Sequence, residues 1–72
     1  MDKGVILVYS THDAFQLEKH FQQKQIPVKM VPPPRHLSSD CGFCLEFNWE
    51  DEQKINMEID ILNLEIQGVH KL

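Results

Sequence analysis

A chain of 72 residues has room for one domain, which buries only about 60% of the surface its unfolded form exposes. With 42% hydrophobic and 25% charged residues it is too apolar for disorder, and it reads as a single domain over residues 1–72. The net charge of -4, with seven scattered Lys and Arg, argues against nucleic acid or an anionic membrane as partner. The longest apolar run, residues 5–9, is far short of the roughly 20 residues that span a bilayer, and no signal-peptide pattern opens the chain. Two cysteines are too few for a secreted disulfide scaffold, so the protein is expected in the cytoplasm, with the pair serving redox, carrier or metal chemistry.

Residues 4–10 (GVILVYS) form a continuous run rich in β-branched side chains, the mark of a buried strand. Ser10, Thr11, His12 and Asp13 then resemble a capping box, and Ala14, Leu17 and Phe21 share one side of a helix expected to end near Gln25. Pro27 breaks that helix, and residues 28–31 (VKMV) suit a short edge strand, because Pro32, Pro33 and Pro34 cannot continue a ladder. Residues 35–42 (RHLSSDCG) carry turn chemistry without periodicity. In the next strand Phe43, Leu45 and Phe47 alternate toward the core, which puts Cys44, Glu46 and Asn48 on the other face. A second helix starts at Asn48 or Glu50, carries Ile55, Ile59, Leu62 and Ile66 at helical spacing, and ends at Gln67 and Gly68. Residues 69–72 make a brief final strand.

The order βαββαβ predicts an α+β ferredoxin-like sandwich, a four-stranded antiparallel sheet with two helices on one face. In that topology the start of the first helix and the connection between the second and third strands lie at the same end of the sheet. Residues 10–13 are therefore expected beside residues 35–41, two segments distant in sequence.

Cys41 is the residue with most chemistry at that end. A thiol reacts as its thiolate, which a helix N-terminus or a nearby cation favours; the first helix and Arg35 supply these, His12 or His36 can take a proton, and Asp13 and Asp40 oppose. The competing reading of Cys41 is a small buried hydrophobe. Gly42 serves either hairpin geometry or close approach of a ligand. For Cys44, on the strand, a packing role is favoured over service as a second thiol. Fully extended, residues 41 and 44 would lie roughly 10 Å apart at Cα, so a disulfide between them requires a turn at Gly42.

Other constellations fit poorly. Cys41, Cys44, His36 and His12 match no zinc spacing, so neither metal nor cofactor is expected. Copper chaperones of this topology carry CxxC after the first strand, where residues 10–14 contain no cysteine. An RNA-recognition reading fails on Leu45, Glu46 and the acidic charge. Trp49 reads as a helix anchor, Glu50, Asp51 and Glu52 as a solvated helix start, and His20 and His70 as solvated surface.

The stretch from Pro34 through Arg35, Ser38, Ser39 and Cys41 to Gly42, preceded by Ser10, Thr11 and Asp13, resembles the small bacterial domains of the selenium/sulfur carrier protein-like family. The likeness extends over nearly the whole chain. It implies a carrier rather than a turnover enzyme, with Cys41 holding a persulfide or selenosulfide and exchanging it with sulfur or selenium donor and acceptor proteins. Pro34, Arg35, Ser38, Ser39 and Gly42 would support that cysteine, with His12 beside them. The alternative is a non-catalytic interaction or small-ligand-binding module, a homodimer formed through the helix-free sheet face.

Overall fold

The computed structural model of the chain describes residues 2–37 and 42–72. Strand β1 (Lys3–Leu7), helix α1 (Thr11–Gln23), strands β2 (Val28–Val31) and β3 (Cys44–Asn48), helix α2 (Glu52–Leu62) and strand β4 (Gly68–Lys71) follow in the expected order. The strands form one antiparallel sheet ordered β2-β3-β1-β4, which is the ferredoxin-like arrangement, with β2 at an edge.

Each sheet face has its own core. On the helix side Ile6, Val8, Leu45 and Phe47 meet Ala14, Leu17 and Phe21 of α1 and Ile55 and Ile59 of α2. On the opposite side the smaller group Val5, Leu7 and Cys44 is buried, with Val31 and Leu37 packed against it. Since a fully buried Leu, Ile or Phe contributes about 1.5–3 kcal/mol, the helix side carries most of the stability.

A local signal sets the start of helix α1. Ser10 takes the N-cap position with an extended backbone, and its hydroxyl accepts the Asp13 N–H at 3.1 Å. Helix α1 stops at Gln23, two residues before the expected end. Gln25 adopts a φ of 60°, its N–H reaches the Gln22 carbonyl at 3.1 Å, and the Ile26 N–H reaches the Phe21 carbonyl at 2.9 Å. This is a Schellman closure with glutamine in the place glycine favours. Helix α2 likewise ends earlier than expected, at Leu62, because Asn63 turns left-handed at φ 54°. Ile66 is therefore not helical, although it still packs on the main core. A 3-10 turn, Trp49–Asp51, precedes α2, so the α-helix itself starts at Glu52 rather than at Asn48 or Glu50.

Two expectations about the strands are corrected. The first strand stops pairing at Leu7 rather than Ser10, and Phe43, expected in the core, is 43% exposed. Both follow from the last rung of the ladder, Leu7 against Cys44, beyond which Phe43 has no strand residue beside it. Trp49 does act as an anchor: its ring stacks on Phe47 at 5.8 Å between centroids. Gly4 makes the space, since a Cβ there would stand 2.5 Å from Trp49 Cε3 and 2.7 Å from Phe47 Cζ.

Candidate functional site

The register brings the chemically interesting segments to one end of the sheet. Leu7 is opposite Cys44, Cys44 is opposite Val31, and Gly68 is opposite Leu7, so the β1–α1 turn and the β2–β3 connection leave from the same end. The Gln67 N–H closes that end of β1 by donating to the Leu7 carbonyl at 2.8 Å.

Proline explains the path of the connection. Pro32, Pro33 and Pro34 lack an N–H and end β2, after which a turn forms with the Leu37 N–H donating to the Pro34 carbonyl at 3.0 Å. Arg35 and His36 occupy the exposed corner of this turn. Leu37 then packs against Val5, Leu7 and Cys44, on the sheet face away from the helices. The Cys44 thiol donates to the Pro32 carbonyl at 3.9 Å, a weak contact that ties the beginning of the connection to β3.

Ser38, Ser39, Asp40 and Cys41 lie outside the described residues. The described flanks are Leu37, packed on the sheet, and Gly42, exposed to solvent. Gly42 does not have a positive φ, and a Cβ added to it would meet nothing within 4 Å. Hairpin strain is thus not what calls for glycine here. His12 is exposed near the start of α1, and among the described residues no hydrogen bond or ion pair joins it to Arg35 or His36. The fold brings these groups to one end without forming a charge network from them.

Cys44 lies on the helix-free face, as the alternation predicts, and is completely buried. Thiol chemistry with another protein needs access, which this position denies. That face is also less open than the topology suggests. Its end near the connection is covered by Leu37, while its other end carries the polar set Lys3, Lys29, Glu46 and Asn48, with Lys3 Nζ donating to Asn48 Oδ1 at 2.7 Å.

One polar contact escaped the sequence reading. His20, expected as solvated surface, is half-buried, and its Nε2 lies 2.8 Å from Glu58 Oε1, pairing α1 with α2. Its position beside Phe21 on the helix gave only a faint signal of burial. His70 is exposed, as expected.

Two shallow cavities, of about 250 and 160 Å³, open at the other end of the sheet; Asp2, Asn48, Trp49 and Glu50 line the larger. Neither adjoins the connection. No group of three or more metal-ligating side chains occurs among the described residues, and no helix there is long and apolar enough to cross a membrane.

No curated protein and no solved structure matches the chain significantly. The family described as "Putative Se/S carrier protein-like" matches residues 3–71, from the first residue of β1 to the last of β4. With nearly its whole length matched, the chain belongs to this Se/S carrier protein-like family.

Proposed function

We propose that the protein carries sulfur or selenium on Cys41, as a persulfide or selenosulfide, and relays it between a donor and an acceptor protein in the cytoplasm. Membership of the Se/S carrier protein-like family is the observation that carries this reading. The surroundings support it: Cys41 belongs to a connection whose neighbouring residues Arg35, His36 and Gly42 are exposed, whereas the other thiol, Cys44, is buried.

The chemistry is a thiol exchange without net oxidation. The Cys41 thiolate attacks the outer sulfur of a donor persulfide; the new sulfur–sulfur bond forms as the donor's own bond breaks, and the donor leaves as a thiolate. The transferred sulfur keeps its proton or releases it to solvent. Discharge repeats the exchange in the other direction, with an acceptor thiolate attacking the outer sulfur on Cys41. In this reading Arg35 is the cation available to balance the negative charge of the terminal sulfur, and the hydroxyls of Ser38 and Ser39 are the donors that the sequence offers it.

Intact-protein mass spectrometry after incubation with a cysteine desulfurase and cysteine tests the proposal. A gain of about 32 Da, one sulfur on the cysteine oxidation and capping ladder, is expected in wild type and Cys44→Ala and not in Cys41→Ser. A wild-type protein that is folded yet gains nothing from this desulfurase or from inorganic polysulfide would refute it.

A further inference from the structure

We infer that the larger cavity, at the end of the sheet away from the β2–β3 connection, binds a small organic cation, a guanidinium or protonated amine, on the indole of Trp49. Asp2, Asn48, Trp49 and Glu50 line this one space of about 250 Å³. Sites for small molecules run from roughly 300 to 1,000 Å³, so the volume suits a ligand built around a single charged head group. Backbone pairing fixes the wall: the Trp49 N–H donates to the Asp2 carbonyl at 3.0 Å, tying the residue after β3 to the residue before β1. The fold uses part of the indole, which stacks on Phe47 and lies over Gly4, where a side chain would not fit. Glycine inside a strand weakens it and marks a close approach, so position 4 gives up a side chain to seat this ring. Trp49 nevertheless stays only half-buried, and the remainder of the ring opens on the cavity.

Charge selects the occupant. The described lining holds two carboxylates and no cation. The cations nearby are engaged elsewhere: Lys3 Nζ donates to Asn48 Oδ1 at 2.7 Å, and Lys71 Nζ lies 3.2 Å from Asp2 Oδ2. The second pair is exposed on both sides, so it is weak and yields to a ligand with better contacts. The Glu50 carboxylate has no hydrogen-bond or ion-pair partner among the described residues. An indole face attracts cations through its quadrupole, and a carboxylate beside it adds a charge-assisted hydrogen bond. An anion would meet two like charges here, and a neutral apolar ligand would desolvate them without pairing them. A metal ion fits poorly, because no group of three or more ligating side chains occurs among the described residues. What remains is a cation with an organic body that covers the indole and a charged head that reaches Glu50.

Trp49 is the single tryptophan of the chain, so its fluorescence reports on the site directly. At low ionic strength, titration with agmatine as the guanidinium source or butylamine as the ammonium source should change that fluorescence saturably, with a Kd in the millimolar range or tighter. Glu50→Gln should raise the Kd about threefold or more, the effect of losing one exposed charge pair. Lys71→Gln, which releases Asp2 to the ligand, should lower it. Calorimetric titration of Trp49→Leu, where the reporter is gone, should show binding about fivefold or more weaker, the loss of a cation–π contact. If Trp49→Leu does not fold, the two substitutions at the exposed positions 50 and 71 decide the matter, with melting curves confirming their fold. The absence of a saturable change with either organic cation would overturn the site. So would an equal Kd in wild type and Glu50→Gln, or an equal response to magnesium chloride, which would mean that charge alone acts and the indole plays no part. The cavity is remote from the connection that carries Cys41, so either failure leaves the carrier reading untouched.

Discussion

The Cys44 thiol reaches the Pro32 carbonyl at 3.9 Å, joining the first residue of β3 to the first residue beyond β2. The contact is weak, but the surroundings are closed, since Cys44, Val5 and Leu7 are buried together under Val31 and Leu37. Cys44 is thereby a packing residue that helps hold the connection against the sheet.

Its thiol should accordingly be inert in the native state. In a Cys41→Ser background, iodoacetamide should leave Cys44 unmodified under native conditions and alkylate it fully in denaturant, as mass spectrometry would record. Cys44→Ala should lower unfolding free energy by roughly 1–2 kcal/mol, the cost of a small apolar deletion in a core. Rapid native alkylation would show that the connection does not cover this side of the sheet.

Gly4 and Trp49 form a second coupled pair. An alanine Cβ at position 4 would stand 2.5 and 2.9 Å from two atoms of the Trp49 ring and 2.7 Å from Phe47. Gly4→Ala should therefore destabilise the fold by about 1–3 kcal/mol, the range for overpacking. Trp49→Leu removes much of the obstacle, so the penalty of Gly4→Ala should be smaller in that background. Equal penalties in the two backgrounds, measured by urea unfolding followed by circular dichroism, would mean that the indole does not rest over Gly4.

Gln25 offers the opposite opportunity. A left-handed backbone at φ 60° costs an ordinary residue roughly 1–2 kcal/mol, and glycine escapes that cost while paying more entropy on folding. Gln25→Gly should stabilise the protein by about 0.5–1 kcal/mol, a rise of roughly 2–8 °C in Tm for a domain of this size. An unchanged or lowered Tm would show that the Gln25 side chain contributes a compensating interaction.

Much of the fold is legible in short stretches of sequence. The β-branched run before Ser10, the Ser10 to Asp13 cap and the apolar spacing of Ala14, Leu17 and Phe21 each report one element, because a strand or helix is dictated by neighbours within a turn or two. The alternation around Leu45 and Phe47 also assigns Cys44 to the helix-free face. Pro34 and Gly42 mark the β2–β3 connection through turn chemistry alone, and likeness to a family singles out Cys41, the proposed carrier residue, within it.

What tertiary structure decides are the relations between elements. The pairing of His20 with Glu58, 38 residues apart in sequence, has no local signature, since each looks like an ordinary surface residue on its own helix. Phe43 continues the apolar alternation of its strand, yet lies outside the core because the ladder ends one residue later, a limit set by its partner strand β1. The helix ends at Gln23 and Leu62 depend on Gln25 and Asn63 accepting left-handed backbone, a strain repaid at the first by Ile26 reaching the core. The cover that Leu37 places over Val5, Leu7 and Cys44 comes from a segment without periodicity of its own. Backbone preference and side-chain periodicity act over a few residues and can be read from the chain itself; burial depends on what the rest of the chain lays on top, and only the folded arrangement contains that.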